Sequence, residues 1–407
     1  MIRTQSCRPR AGAVGRVAVI LGLALAVAAC QAAAPTAPAK PAEKPPAAQP
    51  APQPAPVAQP AAKPAEKPAS VQPAKPAAQA PKPVAKELKK IVFSTAGAGN
   101  IYAPLHIALF RDFFKEEGLD AELIEAQGAP QAGQMLLAGN AQLGFMPVST
   151  VIDAVQRNQP VVAVFGIMNQ NVNQFGVSKA WAEKQGLTTQ MSIAERMQRL
   201  KGAKVGIVSP KSGSDDVARF MLREYGGLDP DRDTTLLPLG ASPNFPAALA
   251  KGQMDAFSVV SPAVETMIVR DGAVLVANLA SGEVPALRGQ LFIVAAARRE
   301  TLDKQSELIV AALRALLRGQ RFLHDHSEEA RQLLWERKFR GIERPVWDLA
   351  WKNHIGGFAK SPVMEAEGYR INFTLLEKAR GEKVPEIPFD KVVDNALATQ
   401  MARAAPR

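Results

Sequence analysis

The sequence predicts an α/β protein in which two similar lobes face each other across a hinged cleft, with helices at the C-terminal end. Three observations carry this. First, a short strand, a small-residue loop and a helix occur twice in the same order, with loops at residues 94–102 (STAGAGNIY) and 209–214 (SPKSGS). Second, each of the two helices ends in glycine followed by Leu-Asp, at Gly118-Leu119-Asp120 and at Gly226-Gly227-Leu228-Asp229. Third, LLAGNAQLGFMP at residues 136–147 parallels ALAKGQMDAFS at residues 248–258. Such self-similarity marks a repeated unit. One strand–loop–helix turn of this kind needs no ligand. Two at equivalent points do predict a ligand between the lobes, because open α/β sheets bind ligands at the carboxyl ends of their strands.

The first 29 residues read as an export signal. An arginine-rich start precedes an apolar run at residues 17–29, which is too short for an ordinary membrane span. The run ends in Val27-Ala28-Ala29-Cys30, small residues directly before a cysteine, so Cys30 is expected to be lipid-modified. The tether at residues 30–86 is built of Ala, Pro, Lys and Gln and has almost nothing to bury. These two stretches also explain the charge. Of a net +11, residues 1–30 contribute four and residues 31–86 contribute five, which leaves +2 for the remainder. A nearly neutral folded part without a basic, aromatic-interleaved patch argues against nucleic acid as a partner. Cys7 and Cys30 are the only cysteines, so the folded part has neither a disulfide nor a thiolate metal site.

The folded part, residues 87–407, is divided into lobe one (about 87–172 and 288–407) and lobe two (about 173–287). In lobe one, residues 91–93 form a strand and residues 103–117 a helix with Pro104 in its first turn, where proline is tolerated. Helices follow at 131–137 and 149–156, and a strand at 161–165. The amide-rich segment 166–177 (GIMNQNVNQFGV) crosses to lobe two. There, 188–200 is helical, 204–208 is a strand, and 215–225 is a helix capped by Ser212 or Ser214. A strand at 291–295 returns to lobe one, and two crossings permit a hinge. From Thr301 onward the pattern is helical, with an apolar stripe of Leu308, Ala311, Leu313, Leu316 and Leu317. Ser327 marks a helix start, Pro362 a helix N1 position, and Asp390 the cap of a last helix through Met401.

Known chemical motifs are largely excluded. Gly97-Ala98-Gly99 has Tyr102 where a dinucleotide fingerprint needs glycine, and neither a phosphate loop nor a nucleophile elbow is present. His324 and His326 are two apart on a helix and point to different sides, which disfavours a shared metal. His106 is expected to pack or to lie at the cleft edge. Asp215 and Asp216 in a first helical turn stabilise the helix dipole and disfavour a multiply charged anion there, which Lys211 offsets in part. Phe245 and Tyr102, if they face the cleft, suit a flat or partly apolar molecule.

The order of these segments, with Leu137-Ala138-Gly139 and Leu249-Ala250-Lys251-Gly252-Gln253-Met254-Asp255-Ala256, resembles the substrate-binding proteins of ABC importers in the nitrate, sulfonate, taurine and thiamine-pyrimidine class. The resemblance covers residues 88 to 400. It implies a type II periplasmic-binding-protein fold, a small-molecule ligand, a transporter permease as partner, no cofactor, no enzymatic activity and a monomer. By position it implies ligand residues Thr95, Gly97, Asn100, Tyr102, Met146 and Ser149 in lobe one. In lobe two they are Ser209, Ser212, Gly213, Ser214, Ser242 and Ser261. With the leader, it implies an extracytoplasmic lipoprotein anchored to a membrane. The chain departs from the sulfonate branch, which often has a histidine where Asp215 follows the serines and an aromatic residue where Val260 precedes Ser261-Pro262. A sulfonate, a nitrate-like anion and a thiamine-pyrimidine precursor therefore all stay open. The alternatives are an enzyme of the pyrimidine-synthase type, whose cysteine-rich motif this chain lacks, and a ligand-sensing lipoprotein without a transporter.

Overall fold

The computed structural model describes residues 87–404; the leader, Cys30 and the tether lie outside the described residues. Ten strands form two five-stranded sheets. The first sheet contains β1 (Lys89–Thr95), β2 (Leu119–Glu125), β3 (Leu143–Pro147) and β4 (Val161–Gly166). The second contains β5 (Gln174–Val177), β6 (Lys204–Ile207), β7 (Thr235–Pro238), β8 (Ala256–Val259) and β9 (Val274–Asn278). The chain then returns to the first sheet with β10 (Ile293–Arg298). The spatial orders are β2-β1-β3-β10-β4 and β7-β6-β8-β5-β9.

The two orders are the same pattern. In each sheet the first βα strand lies parallel between its two successors. In each, the strand at the fourth place is antiparallel and comes from a crossing segment: β10 in the first sheet, β5 in the second. Strands β3, β10 and also the edge strand β4 are buried along most of their length, so they are rich in Val, Ile, Phe and Ala rather than alternating.

The crossings are held by amides. Asn171 Oδ1 accepts from the Asn173 amide groups, Asn171 Nδ2 donates to Gln290 Oε1 at 3.0 Å, and Gln290 Nε2 donates to Asn372 Oδ1 at 2.7 Å. All four residues are buried. The chain of bonds links both crossings to the Ala366–Arg380 helix, which explains the amide-rich composition around residue 170: buried amides satisfy one another where the backbone leaves the sheets. That helix packs into both lobes, with Leu375 and Ala379 in the core of the second and Tyr369 and Phe373 in the core of the first.

Several local expectations are corrected. The helix expected at 103–117 is two, Ala103–Phe110 and Phe113–Glu116, broken at Asp112 with φ 56°. The break lets both Phe113 and Phe114 reach the core. The stretch 188–200 is helical only over Ile193–Gln198, and Lys179–Gln185 is a helix the pattern did not reveal. The return strand lies two to three residues later than 291–295. Pro362 lies in a non-helical bend whose carbonyl accepts from the Gly166 N–H; the next helix starts at Ala366. Asp390 lies inside the short Phe389–Val392 helix, and the last helix, Ala396–Ala404, starts with Asp394 Oδ1 accepting from the Ala396 N–H. Phe245 is fully buried in the second lobe's core. His106 is buried beside Phe110, and burial, reinforced by Lys338, holds its pKa well below the ordinary value. Among the described residues there is no group of three or more metal-capable side chains, and no helix is long and apolar enough to cross a membrane.

Candidate functional site

The loop after β1 and the loop after β6 meet. Each follows a buried strand and opens a helix, so each ends the strand with backbone N–H groups that no helix carbonyl can take. Together they enclose a narrow compartment of about 50 Å³ whose walls include Gly97, Gly99 and Tyr102 from the first lobe and Ser212, Gly213 and Ser214 from the second. Gly99 and Ser242 also border a wider vestibule of about 410 Å³. Its walls are mainly apolar: Pro243, Pro246, Ala247, Pro262, Ala263, Phe339 and Ile342.

On the first lobe, Thr95 ends β1 and its hydroxyl donates to the Gly97 carbonyl at 2.9 Å. Tyr102 is buried, and its hydroxyl accepts from the Ala96 N–H at 3.2 Å, which fixes the loop. Burial raises the Tyr102 pKa, so the phenol stays protonated. Asn100 is 1 % exposed, and neither its Oδ1 nor its Nδ2 has a partner. An amide buried without partners is costly and calls for an explanation. Residues on both sides of Asn100 border the narrow compartment.

On the second lobe, Ser212 caps the Gly213–Glu224 helix: its hydroxyl accepts from the Asp215 N–H and lies 2.9 Å from the Ser214 hydroxyl. Ser214 Oγ accepts from the Val208 N–H at 2.8 Å. Ser261 is fully buried behind the wall, donating to Glu265 Oε1 at 2.7 Å and accepting from Gln174 Nε2 at 3.2 Å.

The lobes touch at several points. A Cβ on Gly213 would stand 3.2 Å from Pro147 Cγ and 3.4 Å from Phe292 Cε2, both on the other lobe. A Cβ on Gly128, whose φ is +126°, would stand 2.6 Å from Ser209 Oγ. Ser149 donates across the gap to Asp216 Oδ2 at 3.3 Å. Asp216 is buried, and burial first, then Asp215 and Asp153, push its carboxyl up to about 7 against the pull of Arg380 and Ser149. On the far side, Asn353 Nδ2 donates to Glu265 Oε1 at 3.0 Å, joining the Arg344–His354 helix to the Ala263–Asp271 helix. His354 is fully buried, and burial lowers its pKa to about 4 although Glu265 opposes the shift.

Of the residues singled out by sequence, Gly97, Tyr102, Ser212, Gly213, Ser214 and Ser242 border the narrow compartment directly. Thr95, Asn100 and Ser261 sit immediately behind it, and Ser149 and Ser209 take part in lobe-to-lobe contacts. Met146 lies apart, in a separate groove of about 130 Å³ that also includes Gly133, Thr150 and Lys211. Sequence reasoning missed Asn173, Phe292, Glu265 and Asn353. Asn173 carried a signal, as an amide in the crossing segment; Glu265 and Asn353 acquire their positions only from lobe packing.

Residues 100–330 match the family described as NMT1/THI5 like. The chain is 22 % identical over 321 residues to the putative binding protein YtlA of Bacillus subtilis, covering 77 % of this chain and 90 % of that protein. It is 29 % identical over 168 residues to the 4-amino-5-hydroxymethyl-2-methylpyrimidine phosphate synthase of Aspergillus parasiticus, which covers 41 % of this chain and 44 % of the synthase. Among solved structures, the alkanesulfonate-binding protein SsuA of Xanthomonas axonopodis pv. citri, bound to MOPS, superposes with a TM-score of 0.58 at 17 % identity, over 77 % of this chain and 98 % of SsuA.

Proposed function

The chain belongs to the NMT1/THI5-like family and has the two-lobed periplasmic-binding-protein fold, and from that premise we propose that it is an extracytoplasmic solute-binding protein that captures a small molecule between its lobes and delivers it to an ABC importer. The observation that carries this reading is the pair of polar loops meeting across a lined compartment, with Gly213 packed close against Pro147 and Phe292 of the other lobe. Binding by both lobes at once couples capture to closure: a solute that touches both faces favours the closed form by its differential affinity for it. A permease can then distinguish loaded from empty protein by shape.

In this reading Cys30 carries the lipid anchor, the tether gives the binding domain reach from the membrane, and the domain works as a monomer without a cofactor. Gly97 and Tyr102 form the first-lobe wall, with Thr95 and Asn100 behind it; Ser212, Gly213, Ser214 and Ser242 form the second, with Ser261 behind it and Ser209 at the lobe contact. Ser149 joins the lobes through Asp216, and Met146 lies apart from the compartment, in the separate groove. The test is titration of the protein with the solute it retains through purification: stoichiometric binding without turnover supports a carrier. Turnover of the bound solute overturns the carrier reading in favour of an enzyme.

A further inference from the structure

The groove that holds Met146 shares no lining residue with the compartment or the vestibule. It runs between the Ala129–Leu137 and Val148–Gln156 helices of the first lobe and has a volume of about 130 Å³. Leu136, Met146, Val151 and Val161, all part of that lobe's core, form its floor. An apolar cavity of about 150 Å³ admits a benzene-sized body, so this floor matches a chain or ring of roughly six carbons.

Gly133 lies inside the Ala129–Leu137 helix, where glycine costs about 1 kcal/mol relative to alanine. Its φ is not positive, and a Cβ there would meet only Thr150 Cγ2 at 3.4 Å and Met146 Sδ at 4.0 Å. Neither backbone conformation nor close packing therefore calls for glycine; what the missing side chain provides is depth in the groove. Thr150 lines the same groove, and its buried hydroxyl has no partner among the described residues. A buried hydroxyl in that state favours an occupant with a polar atom to share.

The rim is cationic. Lys211 lines it from the second lobe, and among the described residues its ammonium makes no ion pair. Arg157 stands 4.0 Å from Asp153, at the limit of an ion pair. Asp153 also lines the groove, and Arg380 binds it. Lys211, Arg157 and Arg380 against Asp153 leave two positive charges in excess. Of the nearby second-lobe acids, Asp215 is paired with Arg219 at 2.8 Å, and Asp216 is buried against Ser149 and lines no part of the groove.

We propose that this groove is a second ligand site, separate from the cleft, for a small monocarboxylate with an apolar chain or ring of roughly six carbons. The apolar part lies on the Met146 floor. The carboxylate pairs with the Lys211 ammonium and supplies the acceptor that the Thr150 hydroxyl lacks. Arg157, about two helical turns from Thr150, adds to the attraction. Because the floor belongs to the first lobe and Lys211 to the second, a bound carboxylate also favours the arrangement in which the lobes touch.

The test is calorimetric titration of the full-length protein with hexanoate, with 1-hexanol as the uncharged probe of the same length and acetate as the charge without the chain. Hexanoate is expected to bind at one per chain and at least about tenfold more tightly than either control. Lys211→Gln is expected to remove most of the difference between hexanoate and 1-hexanol. Gly133→Leu and Ala154→Leu fill the groove from its two helices, and each is expected to abolish hexanoate binding while the melting temperature shows that the fold is kept; if one of them melts early, the other decides. Absence of hexanoate binding to the wild type overturns the proposal. Equal binding of hexanoate and 1-hexanol overturns the charge assignment, and hexanoate binding that survives a folded groove-filling variant overturns the site.

Discussion

Gly213→Val separates lobe closure from folding. The glycine has an ordinary helical backbone, since it is absent from the positive-φ positions, so a side chain brings no backbone strain. What it meets is the other lobe: Pro147 Cγ at 3.2 Å and Phe292 Cε2 at 3.4 Å from the new Cβ. The proline ring is stiff and sits at the start of the Val148–Gln156 helix, so it has little freedom to retreat. The two further methyl groups of valine add to the collision. Overpacking of this kind costs about 1–3 kcal/mol. Here the lobes can relieve it by parting, so the cost shifts the closed-to-open ratio by roughly 5- to 150-fold. Each lobe keeps its own core, and removing a glycine from a helix tends to stabilise it by a few tenths of a kcal/mol to about 1 kcal/mol. The variant is therefore expected to melt at the wild-type temperature or slightly above it, while small-angle scattering gives a larger radius of gyration. A folded variant with the wild-type radius would refute the reasoning, because it would mean that Gly213 does not limit the approach of the lobes.

Other perturbations have defined signs. Asn100→Ala is expected to weaken solute affinity by about 1–3 kcal/mol without lowering the unfolding midpoint, since the amide makes no bond in the solute-free fold; calorimetry and urea titration read the two effects separately. Asn171→Ala cuts the amide chain between the crossings and strands Gln290 and Asn173, so urea denaturation should show a loss of about 1–3 kcal/mol. Asp216 has its folded pKa raised from 3.8 to about 7, so between these values the closed fold binds a proton that the unfolded chain has released. Its contribution is therefore most favourable below pH 4, falls as pH rises through that window, and levels off above pH 7; melting curves across pH 4 to 8 should steepen in this sense for the wild type relative to Asp216→Asn. Cys30→Ser is expected to move the protein from the membrane to the soluble fraction without changing its melting temperature.

The α/β architecture was legible because it rests on local signals. Glycines after each βα unit, the parallel Leu-Ala-x-Gly segments and the two small-residue loops all survive as the repeated strand order of the two sheets. The cap could be narrowed to Ser212 or Ser214 because capping depends on a few neighbouring residues, and Ser212 is the one that caps. The features that were not legible depend on contacts distant in sequence. Asp112 breaks a helix because two adjacent phenylalanines must both reach the core, and Pro362 is set by its bond to Gly166 rather than by a helix. Phe245 faces the interior because the second sheet lies behind its helix. Glu265 looks in sequence like an ordinary first-turn acid, and only packing against Asn353, Gln174 and Ser261 makes it a buried, partly unsatisfied group.

The claim that a solute is held between the two lobes is tested most directly by native mass spectrometry of the gently purified protein and of Gly213→Val. The account predicts a single small-molecule adduct at one per chain on the wild type, strongly depleted on the variant. Equal retention of the adduct by both folded proteins would contradict it.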